Sequence, residues 1–221
     1  MHRALMVKCQ WQSRLGEAMS RSLISYIADI FALSDEEAMV RVQESNDSKA
    51  FSMLHNRWQP KIERFCRWQL GDAHRGEDVA QEVFMRLYAR RRQFRHDGQF
   101  SSYLWRLAVN ACYDELRRRQ RKPELSLCVA DDEGNYGEAM LESDEPSAEA
   151  VFVERERSHM IKQALQKLPE MYRSVVLLRH YEGLKFREIA AVMDIPEGTV
   201  SSRMAEALNR LEEMLKPEIG S

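Results

Sequence analysis

Apolar side chains recur at three- and four-residue intervals along most of this 221-residue chain, the spacing of amphipathic helices. An S-x-x-E box from Ser34 to Glu37 predicts a helix starting near Asp35. Ala38 and Val42 lie on its apolar face, and Ala50, Phe51 and Leu54 continue the stripe beyond a break at Asn46-Asp47. Pro60 belongs early in a further helical segment or kinks a longer one. Ile62, Phe65, Cys66 and Leu70 read as core, Trp58 and Trp68 as packing residues, and Gly71 as a stop. The stretch from Gly76 to Lys122 predicts two helices around a polar loop, R-H-D-G-Q. The first buries Val79, Val83, Phe84, Leu87 and Tyr88 and carries Glu77 and Asp78 in its first turn, where the helix dipole favours negative charge. The second buries Leu104, Leu107, Ala108, Ala111 and Leu116, with Ser101 or Ser102 as its cap.

Periodicity then lapses from Pro123 to about Ser147 and resumes near Glu149. Met160, Ile161, Ala164, Leu165 and Leu168 form an apolar face that Pro169 stops. A further helix buries Val175, Val176 and Leu178 and ends at Gly183. After it come a short helix from Phe186 to Met193, with Ile189, Ala190 and Val192 inward, and a tight turn from Asp194 to Gly198. In the last helix, capped or opened by Thr199, Val200, Met204, Ala207, Leu208 and Leu211 point inward. A short helix, a tight turn and a longer helix make a helix-turn-helix by spacing. The fold class is therefore all-α: two small helical domains, a helical bundle at 35–122 and a helix-turn-helix domain at 149–216. A flexible acidic linker at 123–148 joins them, and 1–34 is an N-terminal extension with a short amphipathic helix through Leu23, Ile24, Ile27, Ile30 and Phe31.

Charge changes this picture through its distribution. The total is only −2, with 31% charged and 44% apolar residues, as in ordinary globular proteins. From Met85 to Lys122, however, there are eleven Lys or Arg against three Asp or Glu, whereas Pro123 to Ser158 holds two Arg and eleven acidic residues. Cys9, Cys66, Cys112 and Cys128 form no C-x-x-C pair, and no His stands at zinc-finger spacing from them, so Cys66 and Cys112 read as buried free thiols. No apolar run reaches the roughly 18 residues of a membrane span, and polar residues interrupt any leader-like segment. These features point to the cytoplasm and against membrane insertion. Nothing supplies a nucleophile-base pair, a metal-ligand cluster or a cofactor site, so an enzyme is not expected.

Candidate chemistry sits on the outer faces of the two middle helices. On the first, Asp78, Gln81, Glu82, Met85 and Arg86 form one stripe at i, i+3, i+4, i+7 spacing. On the second, Trp105, Arg106, Asn110, Asp114 and Arg117 are expected on one exposed side, ahead of the basic run R-R-R-Q-R-K. Aromatic, amide and guanidinium groups in that arrangement suit phosphates and unstacked bases. On the last helix, Thr199, Ser201, Ser202, Arg203 and Glu206 fall nearest a DNA-facing side. Glu206 either accepts from a cytosine amino group or pairs along the helix with Arg203 or Arg210.

The patterns D-V-A-Q-E-V-F-x-R-L and F-S-S-Y-L-W-R-L-A-V-N-x-x-x-D-x-L-R-R resemble region 2 of extracytoplasmic-function sigma factors, in the sigma-70 family of bacterial transcription initiation factors. Tyr103 stands where that family often has Trp. The stretch L-P-E-M-Y-R-S-V-V-L-L-R-H-Y-E-G through the helix-turn-helix resembles region 4 of the same family. The resemblance implies that Asp78, Gln81, Glu82, Met85 and Arg86 dock on the β-prime clamp of core RNA polymerase, the β flap being a second contact. It implies that His96, Gln99, Phe100, Trp105, Arg106 and Asn110 meet the melted −10 strand. Arg117, Arg118 and Arg119 would bind phosphates, and Thr199, Ser201, Ser202, Arg203 and Glu206 the −35 duplex. It also allows an anti-sigma factor as a partner, and a linker that occupies a basic channel of the polymerase. Two other classes share some of these features: a helix-turn-helix regulator acting on duplex DNA without polymerase, and a helical anti-sigma or adaptor protein.

Overall fold

The computed structural model describes residues 33–95, 99–121 and 148–219, and among them every regular element is helical. The N-terminal segment with its expected helix at 23–31, the acidic linker, Cys9, Cys128 and His96 lie outside the described residues. The two-domain all-α architecture holds. Eight helices follow in order: α1 (Asp35–Ser45), α2 (Ser48–Leu70), α3 (Ala73–Ala89), α4 (Phe100–Arg121), α5 (Ala148–Lys167), α6 (Glu170–His180), α7 (Phe186–Met193) and α8 (Glu197–Ile219). A single 3-10 turn, Arg91–Gln93, lies between α3 and α4. The described residues fall into two compact units, 33–57 with 91–95 and 99–100, and 58–90 with 101–121 and 148–219.

Local chemistry sets the helix ends. Ser34 and Glu37 form the reciprocal box: the Glu37 amide donates to Ser34 Oγ at 3.2 Å and the Ser34 amide to the Glu37 carboxylate at 2.9 Å. That amide hydrogen bond holds the Glu37 carboxyl below its ordinary pKa. Asn46 closes α1 in the left-handed region at φ 53°, which an Asn tolerates. Asp47 then opens α2, its Oδ1 accepting from the Lys49 and Ala50 amides. Helix α2 runs on through Pro60 without a break and stops at Gly71, whose φ is +71°.

Two starts differ from the sequence expectation. Helix α3 begins at Ala73 because Asp72 caps it, accepting from the Arg75 amide at 2.9 Å, so Glu77 and Asp78 lie beyond its first turn. Helix α4 begins at Phe100, and neither Ser101 nor Ser102 precedes it as a cap. Its first amide, on Phe100, donates instead to the Glu36 carboxylate of α1 at 2.9 Å.

The bundle core is apolar and tight. Val83, Leu87, Ile62, Leu104 and Ala108 are fully buried. Cys66 and Cys112 are buried free thiols with Sγ atoms 3.6 Å apart, and burial pushes the Cys112 thiol well above its ordinary pKa. The helices after residue 148 bury Leu165, Leu168, Val175, Leu178, Ile189, Val200 and Ala207. One charged residue shares that interior. Arg173 is 7% exposed, and its guanidinium donates to the carbonyls of Leu165, Gln166 and Leu168 at 2.7–2.8 Å. These are carbonyls at the end of α5 that have no further turn of helix to supply donors.

Gly76 marks the closest approach of α3 to α2. A Cβ there would stand 2.5 Å from the Arg67 Cα and 2.6 Å from its amide nitrogen, so backbone would have to move. Gly76→Ala is expected to lower unfolding free energy by about 1–3 kcal/mol, as overpacking does. A urea titration reports it, and an unchanged midpoint would contradict the close crossing.

Candidate functional site

Helix α3 has two faces. Val79, Val83, Phe84 and Leu87 are buried, while Asp78, Gln81 and Glu82 are exposed and Met85 is 71% exposed. Tyr88, expected inward, is 39% exposed at the edge of the apolar arc. Arg86 is tied on both sides: Nε and Nη2 donate to Glu82 at 3.0 and 2.8 Å, and Nη1 to Asp114 of α4 at 3.1 Å. The stripe is thus a patterned acidic, amide and thioether surface carried on a rigid helix.

Helix α4 presents Arg106, Asn110, Asp114 and Arg117 outward at i, i+4, i+8 and i+11. Trp105 does not belong with them. It is 2% exposed and meets Trp58 and Phe65 edge-on, with ring centroids 6.1 and 5.4 Å away. Trp105 is a core residue because Ala108, Val109 and Cys112, on the same side of the helix, are buried too, so the apolar arc is wider than five residues suggested. Phe100 is corrected likewise: it is fully buried, with its ring edge-on to Phe94 at 6.1 Å. Gln99 is exposed, and Tyr103 is half-buried, its hydroxyl pKa raised by that burial.

The basic run is partly neutralised from within. Arg118 donates twice to Glu115, at 2.8 and 3.0 Å, and Arg119 donates to Glu115 at 3.3 Å and to Asp72 at 3.1 Å. The Arg118 hydrogen bonds hold the nearly buried Glu115 carboxyl below its ordinary pKa. Arg117 is exposed and, among the described residues, has no acidic partner. It lines a shallow hollow with Asp114, Arg118 and Arg121. The Glu115 pairing had a signal in the sequence, since a Glu three and four residues before two Arg on a helix lies beside both.

The second candidate surface is the helix-turn-helix. Helix α7 ends at Asp194, left-handed at φ 55°, and the Thr199 amide donates to the Pro196 carbonyl at 2.9 Å, so α8 opens at Glu197, two residues before Thr199. Val200, Met204 and Ala207 face inward; Ser201 and Ser202 are exposed; Thr199, Arg203 and Glu206 are half-buried. Glu206 turns along the helix to Arg210, 2.7 Å from its Nε, and the Arg210 guanidinium lies over the Tyr172 ring at 4.9 Å. Leu208 and Ile161, expected inward, are 46% and 43% exposed because each stands just beyond its helix's buried arc. Arg173 was missed altogether. A lone Arg directly before the run S-V-V-L-L was the available signal, because flanking burial forces such a group to find internal acceptors.

Among the described residues no group of three or more His, Cys, Asp or Glu is arranged to hold a metal ion. None of the described helices is long and apolar enough to cross a membrane. Residues 54–122 match the family description Sigma-70 region 2, and residues 158–211 match Sigma-70, region 4. The RNA polymerase sigma-H factor of Pseudomonas aeruginosa is 34% identical over 83% of this chain and 94% of its own length. The ECF RNA polymerase sigma factor SigW of Bacillus subtilis is 32% identical over 80% of this chain and 95% of its own. The chain belongs to the sigma-70 family, among its extracytoplasmic-function members. The ECF RNA polymerase sigma-E factor of Escherichia coli is similar as well, 34% identical over 85% of this chain and 97% of its own.

Two solved structures share the sigma-factor fold. CnrH in complex with the cytosolic domain of CnrY superposes with a TM-score of 0.62 at 20% identity, covering 83% of this chain and 98% of that one. RpoE of Bartonella quintana, in complex with the anti-sigma factor NepR, gives 0.57 at 24%, covering 77% and 99%. The protein is an alternative sigma factor for transcription initiation. Sigma factors of this family bind RNA polymerase and promoter DNA and are non-catalytic regulators. Region 2 and region 4 in one chain, with sigma-factor relatives matching over about four-fifths of it, favour the sigma factor over the polymerase-independent regulator and the adaptor.

Burial separates structural from surface residues on α4. Trp105→Ala is expected to cost about 3–5 kcal/mol, as removal of a buried aromatic does. Asn110→Ala is expected to stay within about 0.5 kcal/mol. Chemical denaturation of both variants checks this, and a Trp105→Ala protein as stable as the parent would contradict the buried placement.

Proposed function

We propose that this sigma factor docks on the core polymerase clamp through Asp78, Gln81, Glu82, Met85 and Arg86, with the domain at 149–216 reaching the β flap. Arg106 and Asn110 meet the melted −10 strand with Gln99 and His96, and Arg117 binds a phosphate. Arg118 and Arg119 contribute through their field, because Glu115 and Asp72 already hold their nitrogens. Phe100 and Trp105 set the position of that face from below. Thr199, Ser201, Ser202 and Arg203 face the −35 duplex, and Glu206 works indirectly by holding Arg210. The proposed domains are 35–122 for region 2 and 149–216 for region 4, joined by the linker at 123–148. The protein acts in the cytoplasm without catalysis or cofactor, and an anti-sigma antagonist is part of the proposal.

The observation that carries this reading is the two-faced character of α3 and α4. Each buries one apolar stripe and turns a chemically distinct row of polar side chains to solvent. Positioning comes from phosphate contacts and sequence discrimination from base edges, so Arg117 and Asn110 have separate tasks. A base held out of its stack must be repaid by stacking and edge hydrogen bonds. With Trp105 buried, that stacking has to come from elsewhere on the surface.

Run-off transcription with purified core polymerase tests the whole reading, with a promoter-specific transcript expected. Asp78→Ala with Gln81→Ala is expected to weaken co-purification with core polymerase at helicity unchanged by circular dichroism, since both side chains are exposed. Core co-purification equal to the parent would remove the α3 stripe from the interface.

Asn110→Ala is expected to reduce open-complex formation more than duplex binding. Permanganate footprinting reads this directly. Thymines near −10 that react as in the parent would deny Asn110 a role in melting.

A further inference from the structure

Two thiols that the proposed function does not use lie in the bundle core between α2 and α4. Cys66 and Cys112 are both 0% exposed, and the Cys112 thiol donates to Cys66 Sγ across 3.6 Å. The pair stands beside both recognition helices. On α4, Cys112 follows Asn110 by two residues and Trp105 by seven. The Trp105 ring packs edge-on against Phe65, which precedes Cys66 in the chain. Arg67 follows Cys66, and Gly76 of α3 lies so close to it that a Cβ there would fall 2.5 Å from the Arg67 Cα. Ile62, Ala108 and Ala111 around this point of the core are no more than 1% exposed. An interior packed in this way transmits a displacement to its neighbours, because it has no voids in which to absorb one.

We infer that Cys66 and Cys112 form a site of reversible oxidation, at which a hydroperoxide joins them in a disulfide between α2 and α4 and so turns transcription down. The inference rests on the proposed roles of α3 in docking and of Asn110 at the −10 strand. Cys66 reacts first. Its sulfur accepts the hydrogen bond, which favours the thiolate, whereas burial holds Cys112 protonated with its pKa well above the ordinary value. The Cys66 sulfur gives an electron pair to one peroxide oxygen and the O–O bond breaks. The Cys66 proton leaves with the departing oxygen as water or an alcohol, and Cys66 becomes a sulfenic acid. The Cys112 sulfur then attacks the Cys66 sulfur, the S–O bond breaks, and hydroxide leaves with the Cys112 proton as water. The two thiols have together lost two electrons and two protons to the peroxide. Burial slows the first step, so the pair stays reduced in a reducing compartment. Proximity speeds the second, which protects Cys66 from further oxidation. The sulfurs have to close from 3.6 Å to about 2.05 Å. That closure draws on the helices themselves, on α4 beside Asn110 and on α2 beside the seat of α3. Both proposed binding surfaces are thus reached from below.

The full chain, with Cys9→Ser and Cys128→Ser, tests this. The protein alone is treated with hydrogen peroxide, freed of it, and only then mixed with core polymerase. Alkylation under denaturing conditions and peptide mass analysis are expected to find Cys66 and Cys112 joined. In run-off transcription the oxidised protein is expected to lose most of its transcript and to regain it after dithiothreitol. The further double change Cys66→Ala with Cys112→Ala, its fold checked by circular dichroism, is expected to keep its transcript through the same treatment. Reduced and oxidised forms of one chain carry the main comparison, so the outcome stands even where that variant fails to fold. Thiols that remain alkylatable after peroxide, or sulfinic acid in place of the disulfide, would overturn the site. A complete disulfide with undiminished transcript would overturn the switch, as would an equal loss in the folded double variant. Failure of the sigma reading itself appears differently, as absence of a transcript from the reduced protein.

Discussion

Helix ends govern this molecule more than helix faces do. Eight helices in the described residues leave many terminal amides and carbonyls without a partner inside their own helix, and buried ones must be answered from elsewhere. Arg173 answers the largest group. Its five donors reach three carbonyls at the end of α5, the Gln166 side-chain oxygen at 2.8 Å and the Gln69 carbonyl at the end of α2. Burial lowers its pKa from the ordinary guanidinium value, the nearby Glu170 charge offsets this only in part, and among the described residues no carboxylate compensates it by direct contact. The negative ends of two helices do so instead, which is what the dipole description requires of a buried cation placed there. Each carbonyl deprived of its donor in that interior would cost about 1–3 kcal/mol. The angle between α5 and α6 and the seat for α2 therefore depend on one side chain.

Carboxylates play the complementary part on the surface. Glu115 gathers Arg118 and Arg119, Asp72 both caps α3 and holds Arg119, and Glu206 holds Arg210. The run of cations that looked like a free polycationic patch is thus mostly a set of oriented guanidiniums. Exposed pairs of this kind contribute little to stability. Their effect is on geometry, because a guanidinium held at two points presents its remaining donors in a fixed direction. Arg117, exposed and without such a partner among the described residues, is the cation we propose for a phosphate.

Much of this was readable because it is local. The capping box at Ser34, the break at Asn46-Asp47, the stop at Gly71 and the short helix and turn before α8 each follow from a few neighbouring residues. The apolar stripe of α3 follows from period alone. The misplacements of Trp105, Ile161 and Leu208 share one cause: periodicity gives the centre of a buried arc but not its width. On α4 the arc is wide enough to take in Trp105, and on α5 and α8 it is narrow enough to leave Ile161 and Leu208 outside. Phe100 was expected at the melted −10 strand, whereas it is the buried first residue of α4 and its amide is bound by Glu36, 64 residues earlier. The bonds from Arg173 to the Gln69 carbonyl and from Gln69 to the Glu170 carbonyl could not be read from sequence, since they join chain segments about a hundred residues apart.

Trp105 links these observations. A helix that exposes reading groups needs its rotation about its own axis fixed, and exposed polar residues cannot fix it because water satisfies them at any angle. A large aromatic locked edge-on between Trp58 and Phe65 can, since turning α4 by even one residue's angle would expose the indole and leave a void. With Trp105 down, Arg106, one residue on, and Asn110, five residues on, have to point outward, and Cys112 falls beside Cys66. The aromatic residue on α4 thus aims the surface from underneath. It follows that changes in the core around Trp58 and Phe65 would alter how this helix presents Arg106 and Asn110 without touching either residue.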